Sequence, residues 1–315
     1  MGFASRFRRR AATPPSMPPP PNGVAVHTPH TRDIEPHDGM RGLPLVHRYT
    51  IEVEGLDPAH DGLRIVHLTD LHVGLLTPNA RILRGVAVAL REQPDLVVMT
   101  GDFVCYSPRY VSVLQDVVSG IPGPVACVLG NHDYWTDGER VAKALEHDGY
   151  AVLRNQSTRV TLRGAPLELV GIDDAVTGHA DARAAFKGIA HTTKVGSPTR
   201  IVLTHVPGMA DRAVTHGAGL VLAGHTHGGQ VHIPRVTDRL AAVLGRPYLK
   251  GFFHLEDSTL FVNCGVGASA IPVRAGAPAE VAVITLRARE ATEGRVRYRA
   301  HDARHRALRL TPGRP

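Results

Sequence analysis

Five short apolar runs in this chain each end in side chains that can bind a cation or move a proton. The run 65–69 ends in Asp70-Leu71-His72, and 96–100 ends in Gly101-Asp102. The run 125–129 leads into Gly130-Asn131-His132-Asp133, 200–204 into His205, and 220–223 into Gly224-His225-Thr226-His227. Hard and borderline cations take carboxylate, imidazole and carbonyl donors on rigid supports. Asp70, His72, Asp102, Asn131, His205, His225 and His227 are seven such donors. Seven is too many for one tetrahedral site. The set suits two metals that share a carboxylate, with water in the open positions. Any one histidine among the 19 in the chain would more often be structural. The weight lies in the repetition of one pattern at five successive strand ends.

The elements that must carry these groups follow from length and periodicity. Apolar runs of four or five residues have the length of strands buried on both faces, and ligands bind at the carboxyl ends of such strands. This predicts one sheet edge carrying all the polar groups. Strands are expected at 47–53 and 64–68, then a helix over 79–92 capped by Thr77-Pro78, with Ile82, Val86, Ala89 and Leu90 on its inner face. A second helix is expected over 107–119, and a third over 139–147 with Thr136 or Asp137 as cap. Short antiparallel strands are expected at 151–153, 158–162 and 166–171, and helices at 180–190 and 208–216. Beyond Gln230 the helical pattern fades. Strands at 260–263, 280–285 and 295–299 are expected to close a second sheet, giving two packed sheets flanked by helices.

Composition narrows the function classes. The 315 residues carry a net charge of +7, but the excess is terminal: residues 287–315 hold nine Arg against Glu290, Glu293 and Asp302. The central region is slightly acidic, which argues against a nucleic-acid surface there. Three cysteines, Cys105, Cys127 and Cys264, give no paired spacing for disulfides or a thiolate zinc site. No run reaches the roughly 18 apolar residues of a membrane span. Arg8-Arg9-Arg10 precedes a Pro-rich stretch without the apolar core of an export signal, so a cytoplasmic protein is expected. Residues 1–42 read as a disordered Pro/Arg-rich tail, 46–301 as one catalytic domain, and 302–315 as a basic tail. The Arg-rich N-terminus offers peripheral contact with a membrane surface.

The five motifs, in this order, resemble the calcineurin-like metallophosphoesterases, and no expected ligand is missing. The resemblance implies a four-layer α/β/β/α sandwich with two mixed β-sheets. It implies one metal on Asp70, His72, Asp102 and His227 and a second on Asp102, Asn131, His205 and His225, with Asp102 bridging. Two divalent or trivalent ions are implied, with Mn2+, iron or Zn2+ the expected species. His132 would act on the phosphoryl group as a catalytic residue, and Asp133 would orient it through its second ring nitrogen. The implied reaction is hydrolysis of a phosphodiester or pyrophosphate by a hydroxide shared between the ions. Its substrate would be a small-molecule or lipid-headgroup phosphoester and not a nucleic acid. Gly171-Ile172-Asp173-Asp174, Gly228-Gly229-Gln230, Tyr248-Leu249-Lys250-Gly251 and the stretch from Gly265 to Arg274 are similar to a small bacterial phosphodiesterase subgroup, the YkuE- and YaeI-like proteins.

Other readings carry less. Gly265-Val266-Gly267 resembles the start of a dinucleotide fingerprint but runs into Ile271-Pro272 instead of a helix. Asp173-Asp174 reads as a capping turn before it reads as catalytic. Arg274 is open between substrate phosphate and a structural role, and Tyr134 and Trp135 between lining the pocket and packing under the loop. A phosphomonoesterase, a nuclease using the basic tails, and an inactive binding scaffold of the same fold are the rival functions.

Overall fold

The computed structural model describes residues 44–189, 198–269 and 271–288. The proposed tails at 1–42 and 302–315 and the expected strand at 295–299 lie outside these residues. Among the described residues, no helix is long and apolar enough to cross a membrane.

The chain forms an α/β fold of two six-stranded mixed sheets with helices on their outer faces. In order the elements are β1 (Leu45–Val53), β2 (Arg64–Leu68), α1 (Asn79–Arg91), β3 (Leu96–Thr100), α2 (Tyr110–Val118), β4 (Val125–Val128), α3 (Asn131–Thr136), α4 (Gly138–His147) and β5 (Ala151–Val152). There follow β6 (Gln156–Leu162), β7 (Ala165–Ile172), α5 (Ala182–Ala185), β8 (Thr199–Thr204), α6 (Ala210–Val214), β9 (Leu220–Ala223), α7 (Val236–Val243), β10 (Gly251–Leu255), β11 (Ser258–Val262) and β12 (Glu280–Ala288). The first sheet runs β1-β12-β2-β3-β4-β5 and the second β10-β11-β9-β8-β7-β6. Strands β2 to β5 are mutually parallel, as are β7, β8, β9 and β11.

The layering follows from alternation along each strand. Ile65, Val98 and Val128 point between the sheets, against Leu169, Ile201, Leu203 and Leu222. Their neighbours Val66, Val97 and Met99 point outward, where Ile82 of α1, Leu114 of α2 and Val141 of α4 cover them. On the far side, Val202 and Val221 pack against Ala185 of α5 and Ala210 of α6. Strands covered on both faces have no solvated side, so most of their positions are apolar, and the buried polar residues within them, such as His67, Glu168 and Arg200, are paired inside the protein.

Several expectations change. The ligand-bearing ends do not share one sheet edge: β2, β3 and β4 belong to the first sheet, β8 and β9 to the second. Residues 151 and 152 pair in parallel with β4 in the first sheet and not antiparallel with β6. β12 also joins the first sheet, between β1 and β2, where it was expected to close the second. Thr77 does not cap α1; its hydroxyl accepts from the Ala268 amide and ties two loops together. Asp137, not Thr136, caps α4, by accepting from the Arg140 amide. The stretch 131–135 is the helix α3 and not a loop. Sequence reading missed α7 and β10.

Candidate metal centre

Seven side chains from the five strand ends meet where the two sheets' carboxyl ends converge. Asp70, His72, Asp102 and His227 bring ligand atoms within 4.8 Å of one another, and so do Asp102, His205 and His225. Asp102 belongs to both groups. His72 Nε2 lies 2.9 Å from His227 Nε2 and 3.5 Å from Asp102 Oδ2. On the other side, His205 Nε2 lies 3.3 Å from the same Asp102 oxygen and 3.2 Å from His225 Nδ1. Asn131 lines the same cavity as Asp102, His225 and His227.

The backbone is bent to achieve this. Asp70, His72, Asp102, His225 and His227 all have positive φ, between 46° and 71°. Such angles strain a residue with a Cβ and persist only where surrounding structure enforces them, commonly at functional sites. Glycines give the space. A Cβ on Gly130 would strike the Asp102 carboxylate, and one on Gly224 would strike Thr69 and Asp70. The Gly265-Val266-Gly267 stretch also belongs here. It runs beside the Asp70 loop, with Val266 N donating to Thr69 O and Gly267 N to Asp70 O.

Asp70 has one oxygen held and one left bare, whereas both oxygens of Asp102 are engaged. Asp70 Oδ2 accepts from the Thr69 hydroxyl and the His225 amide, while the buried Oδ1 has no hydrogen-bond partner. Asp102 Oδ1 accepts from the His132 amide at 2.9 Å, which leaves Oδ2 facing His72 and His205. The Asn131 Oδ1 is buried and unpartnered as well. Leaving a buried acceptor unsatisfied costs about 1–3 kcal/mol. The unpartnered oxygens of Asp70 and Asn131, beside converging imidazoles, fit a cation. His205 Nδ1 donates to the Thr100 carbonyl at 2.7 Å, which fixes its tautomer and presents Nε2 to the centre.

Electrostatics agree for three of the four imidazoles; at the fourth, His205, burial is outweighed by the Asp102 carboxylate, which raises it to about 10, so this ring carries a proton that a cation would displace. Burial lowers His72 and His225 to about 3 and His227 well below its ordinary value, so all three rings are neutral, the form that binds metal. Burial and the Asp102 charge raise Asp70 to about 7. For Asp102, burial is outweighed by the adjacent His205, which holds the carboxyl far below its ordinary range.

The structure overturns one assigned role. Asp133 does not touch the His132 ring. Its Oδ1 accepts from Phe103 N at 2.8 Å and Val104 N at 3.1 Å, and its Oδ2 from Gly130 N at 2.9 Å. In the first turn of α3 the two side chains diverge, and Asp133 faces inward as a brace between two loops. The group at His132 Nδ1 is the Cys105 thiol, 3.1 Å away. Burial pushes that thiol up to about 12, so it stays protonated. Sequence reading gave Cys105 no role; its place close to the end of β3 was the one available signal. His132 half-lines the cavity, with the exposed Trp135 edge-on to its ring at 4.9 Å.

The open alternatives also resolve. Arg274 is a structural partner of the centre: Nη2 donates to His227 Nδ1 at 2.9 Å, and Nε donates to the Gly267 carbonyl. A guanidinium only donates, so the His227 ring proton sits on Nε2, 3.3 Å from Asp70 Oδ1. A cation bound there takes that proton's place. Tyr134 packs under the loop and donates to Asp173, while Asp174 caps a turn by accepting from Thr177 N.

Two sheets, their strand order and this convergence of donors define a class. Residues 63–229 match the family described as calcineurin-like phosphoesterase, and the chain belongs to that family. It is 28% identical over 267 residues to the uncharacterized metallophosphoesterase YkuE of Bacillus subtilis, covering 82% of this chain and 89% of that one. It is 29% identical over 211 residues to the phosphodiesterase YaeI of Escherichia coli, covering 65% and 75%. The transmembrane protein with metallophosphoesterase domain of Bos taurus is 31% identical over 268 residues, covering 78% of this chain and 57% of that protein.

Proposed function

We propose that the chain is a dinuclear metal-dependent phosphoesterase that hydrolyses a phosphodiester or pyrophosphate bond. The observation that carries this reading is a pair of donor clusters sharing Asp102, with bare buried oxygens on Asp70 and Asn131. Asp70, His72, Asp102 and His227 would hold one ion; Asp102, Asn131, His205 and His225 would hold the other. The mixed oxygen and imidazole set suits Mn2+, iron or Zn2+. Bound there, such ions lower the pKa of coordinated water and neutralise phosphoryl oxygens.

The protein's own residues do the rest. Thr69 and the His225 amide keep the bare Asp70 oxygen turned into the centre. The His132 amide fixes Asp102, and the Thr100 carbonyl fixes His205. His132 stands at the cavity wall, placed to donate a proton to the departing oxygen and to stabilise charge on the transferring group. The cavity of about 480 Å3 extends past the donors to Leu240, Leu244 and Leu249. That is more room than a phosphoryl group needs and favours an ester with a second, partly apolar substituent. A relative named a phosphodiesterase points the same way.

The test is a turnover screen with added Mn2+ over diesters, monoesters, pyrophosphates and nucleic acid, paired with elemental analysis. About two ions per chain and preference for diesters or pyrophosphates are expected. One tightly held ion would defeat the dinuclear reading, and preference for monoesters or nucleic acid would defeat the substrate class.

A further inference from the structure

Helix α7 breaks the rule that apolar side chains on a helix face the core. Of its eight residues only Ala241 is buried. Val236, Leu240 and Val243 are exposed, Val243 at 83%. At 3.6 residues per turn these three fall within roughly 60° of one another, so they form one solvent-facing stripe. Exposed Leu244 extends the stripe beyond the helix end. The loops beside α7 continue it with Ile233, Ile271 and Val273, all exposed. Those loops form one surface: Gln230 donates to the Ser269 and Ile271 carbonyls, and His232 N donates to Ala275 O. A contiguous apolar surface of this kind marks an interaction site.

Charge says what covers it. Arg239 lies on the helix flank next to the apolar stripe, Arg235 just before the helix and Arg246 just past it, all exposed. The helix has one carboxylate, Asp238, and His232 and the Arg235 amide engage it. An apolar stripe bordered by arginines fits the interface of an anionic bilayer, where side chains enter the acyl boundary and guanidiniums meet phosphates. The stripe also runs into the cavity of the metal centre, whose wall includes Leu240, Leu244 and Arg246.

We propose that α7 and its flanking loops dock the protein on an anionic lipid surface, with the cavity mouth opening onto the headgroup layer. This rests on the phosphoesterase reading only for its consequence, which is that the substrate is the phosphoester of an amphiphile held in that surface. The apolar part of such a molecule lies along α7 while its phosphoryl group reaches the donors.

Co-sedimentation of the full chain with vesicles tests this, using phosphatidylcholine alone and phosphatidylcholine with phosphatidylglycerol in equal parts. Tighter binding to the anionic vesicles, by about tenfold or more, is expected, weakening as salt rises. Val236 and Val243 do not line the cavity. The double variant Val236→Glu/Val243→Glu should lose about tenfold or more of vesicle affinity. It should keep its melting temperature and its turnover of a water-soluble ester. Arg239→Glu should weaken binding to anionic vesicles and leave the neutral ones unaffected. No binding by the parent protein would overturn the proposal. So would unchanged binding by the double variant, which would place the contact in the basic termini. A dimer broken by the double variant without loss of vesicle binding would assign the face to a second copy. A parent protein that binds vesicles through α7 but hydrolyses no ester would defeat the phosphoesterase reading and leave the docking face standing.

Discussion

Replacing Asp133 by Asn separates bracing from catalysis. The Asp133 carboxylate is fully buried and accepts three backbone amides: Phe103 and Val104 after β3, and Gly130 after β4. Asn keeps one acceptor oxygen. In its better orientation it retains Phe103 and Val104 and turns its NH2 group toward the Gly130 amide. Burial and the Asp102 charge raise Asp133 to about 8, so the lost hydrogen bond is scored as a neutral one, about 0.5–1.5 kcal/mol, and a buried donor is orphaned at about 1–3 kcal/mol. The two costs overlap, so the expected loss is about 2 kcal/mol. For a domain of this size that lowers Tm by roughly 4–8 °C. Because Asp133 does not touch the His132 ring, turnover well below the melt should change by only about two- to threefold. Cys105→Ala should behave in the opposite way, with Tm nearly unchanged and kcat lowered several-fold, since it removes the group at His132 Nδ1. Calorimetry and steady-state kinetics on both variants, each with metal content measured, check this. An Asp133→Asn protein that melts with the parent but loses most of its kcat would refute the reasoning and restore Asp133 as the partner of His132.

Three further outcomes are expected. His132→Asn should keep the metal content and lose about 10²–10⁴-fold in turnover of alkyl esters, with a smaller loss on a nitrophenyl ester, whose leaving group needs no proton; loss of an ion on elemental analysis would contradict it. Gly224→Ala should weaken retention of the ion on Asp70, because the new Cβ strikes Thr69 and the Asp70 carboxylate; a fully loaded variant would show that the loop yields freely. The third concerns Glu280, which is buried. Burial would raise its pKa, but hydrogen bonds from His47, the Cys264 amide and Tyr49 outweigh that and hold it below 4.5. The unfolded chain therefore takes up this proton first on acidification. The stability it contributes is present above about pH 4.5 and lost as pH falls through the folded value. Urea melts across that range should show a flatter acid limb for Glu280→Gln, and an unchanged slope would remove Glu280 from the account.

The donor set was legible because geometry gives it nowhere to hide. β3, β4 and β9 are buried at every position, so their sequences are apolar but for Thr100 at the end of β3, and the first carboxyl, imidazole or amide side chain marks the strand's mouth. The assignment of those mouths to two sheets was not legible, because β8 and β9 have the same pattern whichever sheet they join. Contacts between loops were illegible for a different reason. Asp133 follows His132 directly, and adjacency suggested partnership. Neighbours on a helix point about 100° apart, and the true partners come from the loop after β3, about thirty residues upstream. α7 shows the converse. Val236, Leu240 and Val243 have helical spacing, yet the segment was passed over because a helix is normally recognised by the core face it supplies. Where a helix presents its apolar stripe to something outside the chain, that criterion fails, and the failure itself locates the surface. The same reasoning separates Arg274 from Arg239. Arg274, open by sequence between substrate phosphate and a structural role, is drawn inward to His227, whereas Arg239 stands exposed on the flank of α7.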